Sequence, residues 1–137
     1  MPLAYESLTS KIIETAFEVS AELGAGFLES VYQNALGIAL VEKGLQVEFE
    51  VPLKVTFRNH LVGTFQADLV VEHAILVELK AVGALLPEHK AQVINYLKAS
   101  DIQIGLLINF GKARVEFNRL EHPKLRQGLP RLKNNSD

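Results

Sequence analysis

The sequence predicts an α/β fold, a mixed β-sheet flanked by helices in one domain. Three observations carry that expectation. Helical periodicity is confined to the N-terminal part and one later segment; segments rich in Val, Ile, Phe and Leu follow one another with only short turn signals between them; and the later helix sits between two strongly apolar strands, where it can act as a crossover. The 137 residues match one ordinary domain of about 100–150 residues.

Taken in order, Glu6–Glu22 places Leu8, Ile12, Ile13, Ala16, Phe17 and Val19 at the spacing of an amphipathic helix, and Leu23 continues the pattern. Gly24-Ala25-Gly26 interrupts it. A second helix is expected from about Leu28 to Lys43, stopped by Gly44. Four strand segments follow, at Gln46–Val51, Leu53–Arg58, Thr64–Glu72 and Ala74–Ala81. Pro87 opens a helix through about Ala99. Gln103–Phe110 reads as a strand buried on both faces, and Ala113–Leu120 as a last strand. The crossover helix makes the strands on either side of it parallel neighbours.

Bulk composition excludes several classes. No cysteine is present, so disulfide frameworks, thiolate catalysis and Cys-based zinc sites are ruled out. Met1–Ser10 lacks the layout of a signal peptide, and no apolar run approaches the ~18 residues of a membrane span. A cytoplasmic protein with no membrane partner is the expectation. The net charge of -2 gives no overall attraction to nucleic acid. Five basic residues from Arg119 onward nevertheless face only two acids, so residues 121–137 read as a basic, flexible tail behind a domain of residues 1–120. No hydrolase elbow, P-loop or dinucleotide fingerprint occurs, and the four histidines lack ligand spacing.

Chemistry concentrates where charges interrupt apolar strands. In Ala74–Ala81, alternation points Ile75, Val77, Leu79 and Ala81 one way and Leu76, Glu78 and Lys80 the other. In the preceding strand, Phe65, Ala67, Leu69 and Val71 share one face, with Asp68 opposite beside Gln66 and Val70. Burying ionised groups is costly unless they are paired or bound to metal. If the strands pair, Asp68 and Glu78 converge on one cation, and carboxylate oxygens suit Mg²⁺ or Mn²⁺. Lys80 beside it can orient a water or stabilise charge on a phosphate. The competing reading is a solvated Glu-x-Lys pair at a sheet edge, the commoner fate of that spacing.

Two helical groups add to this. Gln92 and Tyr96 lie four apart on one helix face, with His89 three residues before Gln92. Gln92 can hold a water, a phosphate or Lys80, while Tyr96 can equally pack in the core beside Val93 and Leu97. Near the N-terminus, Gly26, Glu29 and Tyr32 read G-x-x-E-x-x-Y. Glu29 is either a residue favoured at a helix start or a third carboxylate for the cation.

These residues resemble the GxxExxY proteins, placed in the PD-(D/E)XK nuclease superfamily. The resemblance runs from about Tyr5 to Leu120, through Gly26, Glu29, Tyr32, Asp68, Glu78-Leu79-Lys80, the Q-x-x-x-Y motif of RecB-like nucleases at Gln92 and Tyr96, and Gly105–Gly111. It implies a restriction-endonuclease-like α-β-β-β-α-β core with an extra N-terminal helix. It further implies metal ligation by Asp68, Glu78 and Glu29, a catalytic Lys80, and supporting roles for Gln92 and Tyr96. Ala67 stands where the superfamily name has Pro. The activity implied is Mg²⁺-dependent hydrolysis of nucleic acid, DNA ahead of RNA. The alternative is a nuclease-fold binding or regulatory module that cuts slowly or not at all. An exposed sheet edge or the first helix offers a surface for a homodimer.

Overall fold

In the computed structural model, residues 5–126 are described. Two helices lead, α1 (Glu6–Leu23) and α2 (Glu29–Glu42). Three strands follow: β1 (Val47–Phe57), β2 (His60–Val71) and β3 (Ile75–Lys80). Then come α3 (Pro87–Ser100), β4 (Ile104–Asn109), β5 (Glu116–Glu121) and a short α4 (Pro123–Arg126). The strands form one sheet in the order β1-β2-β3-β4-β5. Only β3 and β4 run parallel, joined through α3 as expected; every other neighbouring pair is antiparallel.

Each face of the sheet has its own core. Ile12, Ala16 and Val19 of α1 and Tyr32, Leu36 and Leu40 of α2 pack on Leu69, Val71, Ile75, Val77, Leu79, Ile104, Leu106 and Ile108. On the opposite face, Val93, Tyr96 and Leu97 of α3 cover Leu53, Ala67, Val70, Leu76 and Leu107. β4 is buried along its whole length, which is why it reads as a continuous apolar run. The two turns that link β1, β2 and β3, at Arg58-Asn59 and Glu72-His73, have positive φ at both central residues, the twist that tight hairpins require. Gly44 (φ 87) ends α2 at the expected place.

Two expectations are corrected. The segments 46–51 and 53–58 are one strand, β1, running through Pro52. Proline reads as a break, but β1 is the sheet edge, where a missing N–H costs no ladder bond. The second correction concerns alternation along β2. Leu69 and Val71 lie on the α1–α2 face, whereas Ala67 lies on the α3 face and Phe65 packs on Tyr96, ring centroids 5.6 Å apart. The strand changes faces at Asp68.

β1 does the same. The Phe49 ring lies over Gly37 of α2, while Val51 and Leu53 join the α3 core. Between them Glu50 has φ 50. Phe49 pairs with Leu69 and Val51 with Ala67, so Glu50 stands opposite Asp68 and the register is kept through the flip.

Past β5 the chain stays packed. The His122 N–H donates to Gln103 O at 2.7 Å, its side chain is buried, and Leu125 touches the α1–α2 core. The remainder of the expected basic tail, residues 127–137, lies outside the described residues.

Candidate active site at the split between two strands

The pairing of β2 with β3 stops short. Val71–Ile75, Val70–Leu76 and Leu69–Val77 are in register, and the next pair would be Asp68 and Glu78. There the side chains take over the hydrogen bonding. The Asp68 N–H donates to Glu78 Oε1 at 2.9 Å, and the Leu79 N–H donates to Asp68 Oδ2 at 2.8 Å. The acids therefore satisfy main-chain donors that a continued ladder would have used, and they hold the strands apart where they diverge. This explains why two carboxylates are tolerated at the end of an apolar strand pair.

Their environment opposes ionisation. Glu78 is 4% exposed, and its pKa is pushed up to about 8, by burial first and then by the charge on Asp68. Asp68 is half-buried and is also raised, again mainly by burial, with Glu29 adding to the effect and Lys80 opposing it. A proton shared between the acids, or a cation in its place, relieves the repulsion. Two partly desolvated carboxylates fit a hard divalent cation well.

Lys80 follows at the end of β3, where its ammonium donates to Gln92 Oε1 at 3.2 Å. Gln92 lies one helical turn before Tyr96 on α3 and acts to lower its pKa. Tyr96 is buried in the α3 core, and burial, followed by the charges of Glu78 and Asp68, raises its pKa. Asp68, Glu78, Lys80, Gln92 and Tyr96 thus form one connected group on the α3 face.

The remaining expected residues lie around this group. Glu29, exposed in the first turn of α2, is close enough to influence Asp68 electrostatically. Among the described residues, however, no three acidic or histidine side chains form a ready-made metal cluster. Tyr32 lies across the sheet in the α1–α2 core, stacked on Phe110 with centroids 4.7 Å apart and planes 8° apart. Its hydroxyl donates to Gly24 O at 2.6 Å and accepts from the Phe27 N–H at 3.2 Å. Tyr32 therefore clamps the loop through Gly26 (φ 112) that leads to Glu29. His89 does not join the site: its Nδ1 accepts the Leu86 N–H at 3.0 Å, securing the start of α3.

Sequence reasoning missed Asn109. It faces Lys80 across the parallel pair and is fully buried. Its Oδ1 accepts the N–H groups of Val82 and Gly111, while its Nδ2 donates to Val82 O and Glu116 Oε1. Glu116 also accepts the Leu85 N–H, and the Asn109 bond chiefly holds its pKa low. At Gly111 any Cβ would meet Val82 O at 2.2 Å, so the backbones approach too closely for a side chain. Asn109, Gly111 and Glu116 fix the loop that leaves Lys80. A lone amide ending a buried apolar strand was the available signal.

A family model described as the PD-(D/E)XK nuclease superfamily matches residues 6–120. The chain belongs to this superfamily. The pattern in the superfamily's name reads here as Ala67-Asp68 and Glu78-Leu79-Lys80, with alanine in place of proline. A solved structure described as "Crystal structure of SSO0001" is similar at a TM-score of 0.56 and 21% identity, over 88% of this chain and 61% of that one. The PD-(D/E)XK chain thus spans about three-fifths of that protein, and the likeness is one of fold. Comparison with curated proteins gave no match.

Proposed function

We propose that this chain is a divalent-metal-dependent nuclease that hydrolyses phosphodiester bonds, acting on DNA ahead of RNA. The observation that carries this reading is the Asp68–Glu78 pair held at the split of β2 and β3, with Lys80 two residues on and anchored by Gln92. Asp68 and Glu78 would hold Mg²⁺ or Mn²⁺, with Glu29 of α2 as a third carboxylate. The cation supplies Lewis acidity and an activated water when bound. Lys80 presents its ammonium to the scissile phosphate and stabilises the charge that builds there. Gln92 positions Lys80, and Tyr96 positions Gln92. The loop clamp at Tyr32 sets the approach of Glu29; the pattern Gly26, Glu29, Tyr32 supports reading the chain as one of the GxxExxY proteins, with Gln92 and Tyr96 as a RecB-like Q-x-x-x-Y pair.

A second reading, a module that binds nucleic acid without cutting it, is favoured by one observation: the acids do not form a three-ligand cluster among the described residues. Incubation of single- and double-stranded DNA and RNA with Mg²⁺, Mn²⁺ or EDTA, beside Asp68→Asn and Lys80→Ala, separates the two. Metal-dependent cleavage that disappears in both variants supports the nuclease. Cleavage that survives both removes the site, and binding without cleavage by any form supports the module.

A further inference from the structure

A groove of about 750 Å³ opens beside the candidate site, between α3 and the outer part of the β1–β2 hairpin. That volume lies within the range of ordinary ligand sites. Its walls carry Lys54, Phe65, Gln92, Asn95, Tyr96 and Lys98. The combination is specific in kind. Phe65 is 45% exposed although it packs on Tyr96, so one face of an aromatic pair is open to the groove. Lys54, Lys98 and Asn95 are exposed, and neither lysine makes an ion pair among the described residues. Glu88 also lines the groove, so its two cations outnumber the one acid.

We propose that this groove binds single-stranded nucleic acid next to the scissile position, one base stacking on Phe65 and the flanking phosphates meeting Lys54 and Lys98. The inference rests on the nuclease reading and names its substrate class. Aromatic stacking beside a cationic track is the usual way unpaired strands are held, because every base has a face to stack on. A paired base cannot reach Phe65, since its faces are already covered by neighbouring pairs. Continuity with the chemistry comes from Gln92, which lines the groove and accepts the Lys80 hydrogen bond. A strand seated on Phe65 is therefore led past Gln92 toward Lys80, Glu78 and Asp68. The groove also gives the face change in β2 a use, because that change turns Phe65 toward α3 rather than toward α1 and α2.

The test measures fluorescence anisotropy of labelled oligothymidylate, oligouridylate and a duplex of equal length, in EDTA so that no cleavage intervenes. The wild type is expected to bind one or both single strands more tightly than the duplex. Phe65→Leu should weaken single-strand binding by about five- to a hundred-fold, the worth of one base stack, and Phe65→Tyr should retain it. Lys54→Ala with Lys98→Ala should flatten the log–log salt dependence by roughly 0.7 for each phosphate no longer neutralised. Equal binding of duplex, no binding of either single strand, or no effect of Phe65→Leu overturns the groove. The two readings fail separately: metal-dependent cleavage with unaltered Phe65→Leu binding leaves the nuclease and removes the groove, whereas Phe65-dependent binding without cleavage does the reverse.

Discussion

Glu50 stands directly opposite Asp68 on the edge strand, and at this pair both strands pass their side chains from one face of the sheet to the other. Ala67 is thereby turned to the α3 face, the side that alternation already gives Asp68, while Leu69 stays beneath α1 and α2. The backbone cost falls on Glu50, whose φ of 50 is unfavourable for any residue with a Cβ. Non-glycine residues persist there only where the surroundings fix them, and such strain gathers beside functional sites.

Glu50→Gly is accordingly expected to be neutral or to stabilise by up to about 1 kcal/mol, since glycine adopts that conformation freely but loses more chain entropy on folding. Glu50→Val should destabilise by about 1–2 kcal/mol, because a β-branched side chain fits positive φ worst. Urea unfolding midpoints decide the matter. The Glu50 side chain is exposed, so changes in packing do not confuse the result. A valine variant as stable as the parent would show that no strain is held at this flip.

Removing one acid should separate stability from activity. The folded-state pKa of Glu78, about 8, lies above its ordinary value of 4.5. Between these values the folded chain holds a proton that the unfolded chain has released, so stability falls as pH rises through that window and is least above it. Asp68, raised in the same direction, adds to the loss. Metal-free protein should melt lower at pH 8.5 than at pH 6, and Glu78→Gln should reduce that difference while abolishing cleavage. Mg²⁺ or Mn²⁺ should raise the melting temperature of the wild type more at pH 8.5, because the proton must leave for the cation to bind. Parallel pH profiles for wild type and Glu78→Gln would contradict this.

Lys80 and Gln92 should differ in what their removal does. Lys80→Ala deletes the group proposed to face the phosphate and is expected to lower kcat by about 10²–10³, the scale of one electrostatic donor in a transition state. Gln92→Ala leaves Lys80 in place without its 3.2 Å anchor, so a smaller fall is expected, about tenfold. Single-turnover cleavage at saturating metal measures both. If Gln92→Ala matched Lys80→Ala, glutamine would be acting on the substrate itself rather than through the lysine.

Much of this site is legible in the chain because apolar patterning makes a misplaced charge visible. Glu78 and Lys80 interrupt a strand whose other residues are Ile, Leu and Val, and alternation puts them on the face the structure shows. Asp68 stands out by the same contrast. What alternation cannot supply is its own interruption: it predicts Phe65 and Ala67 beneath the same helices as Leu69, and the reversal at Glu50 and Asp68 has no signature in residue type, since neither position is glycine. Pro52 misleads for a related reason, because only the finished sheet shows that β1 is an edge. His89 shares helical spacing with Gln92 and Tyr96, yet its imidazole is taken by the Leu86 N–H, a local competitor that spacing does not reveal. Asn109 escapes notice because a single amide at a strand end gives no hint that four hydrogen bonds converge on it.

Asn109→Ala should therefore be among the costliest single changes in the chain. It leaves the N–H of Val82 and the O of Val82 without their partner in a buried setting, and frees the Gly111 N–H and one hydrogen bond of Glu116. Each buried group left unsatisfied costs about 1–3 kcal/mol, so a destabilisation of about 2–4 kcal/mol is expected once water reaches part of the loop. Asn109→Asp should recover part of it, since a carboxylate still accepts from Val82 and Gly111, but it turns a donor toward Val82 O and Glu116 into a repulsive neighbour. The functional consequence follows from position: Asn109 faces Lys80 and fixes the loop that leaves it. Cleavage by Asn109→Ala, measured well below its melting temperature, should fall more steeply than its folded fraction. A variant that kept full activity per folded molecule would show that the loop after Lys80 need not be held for Lys80 to work.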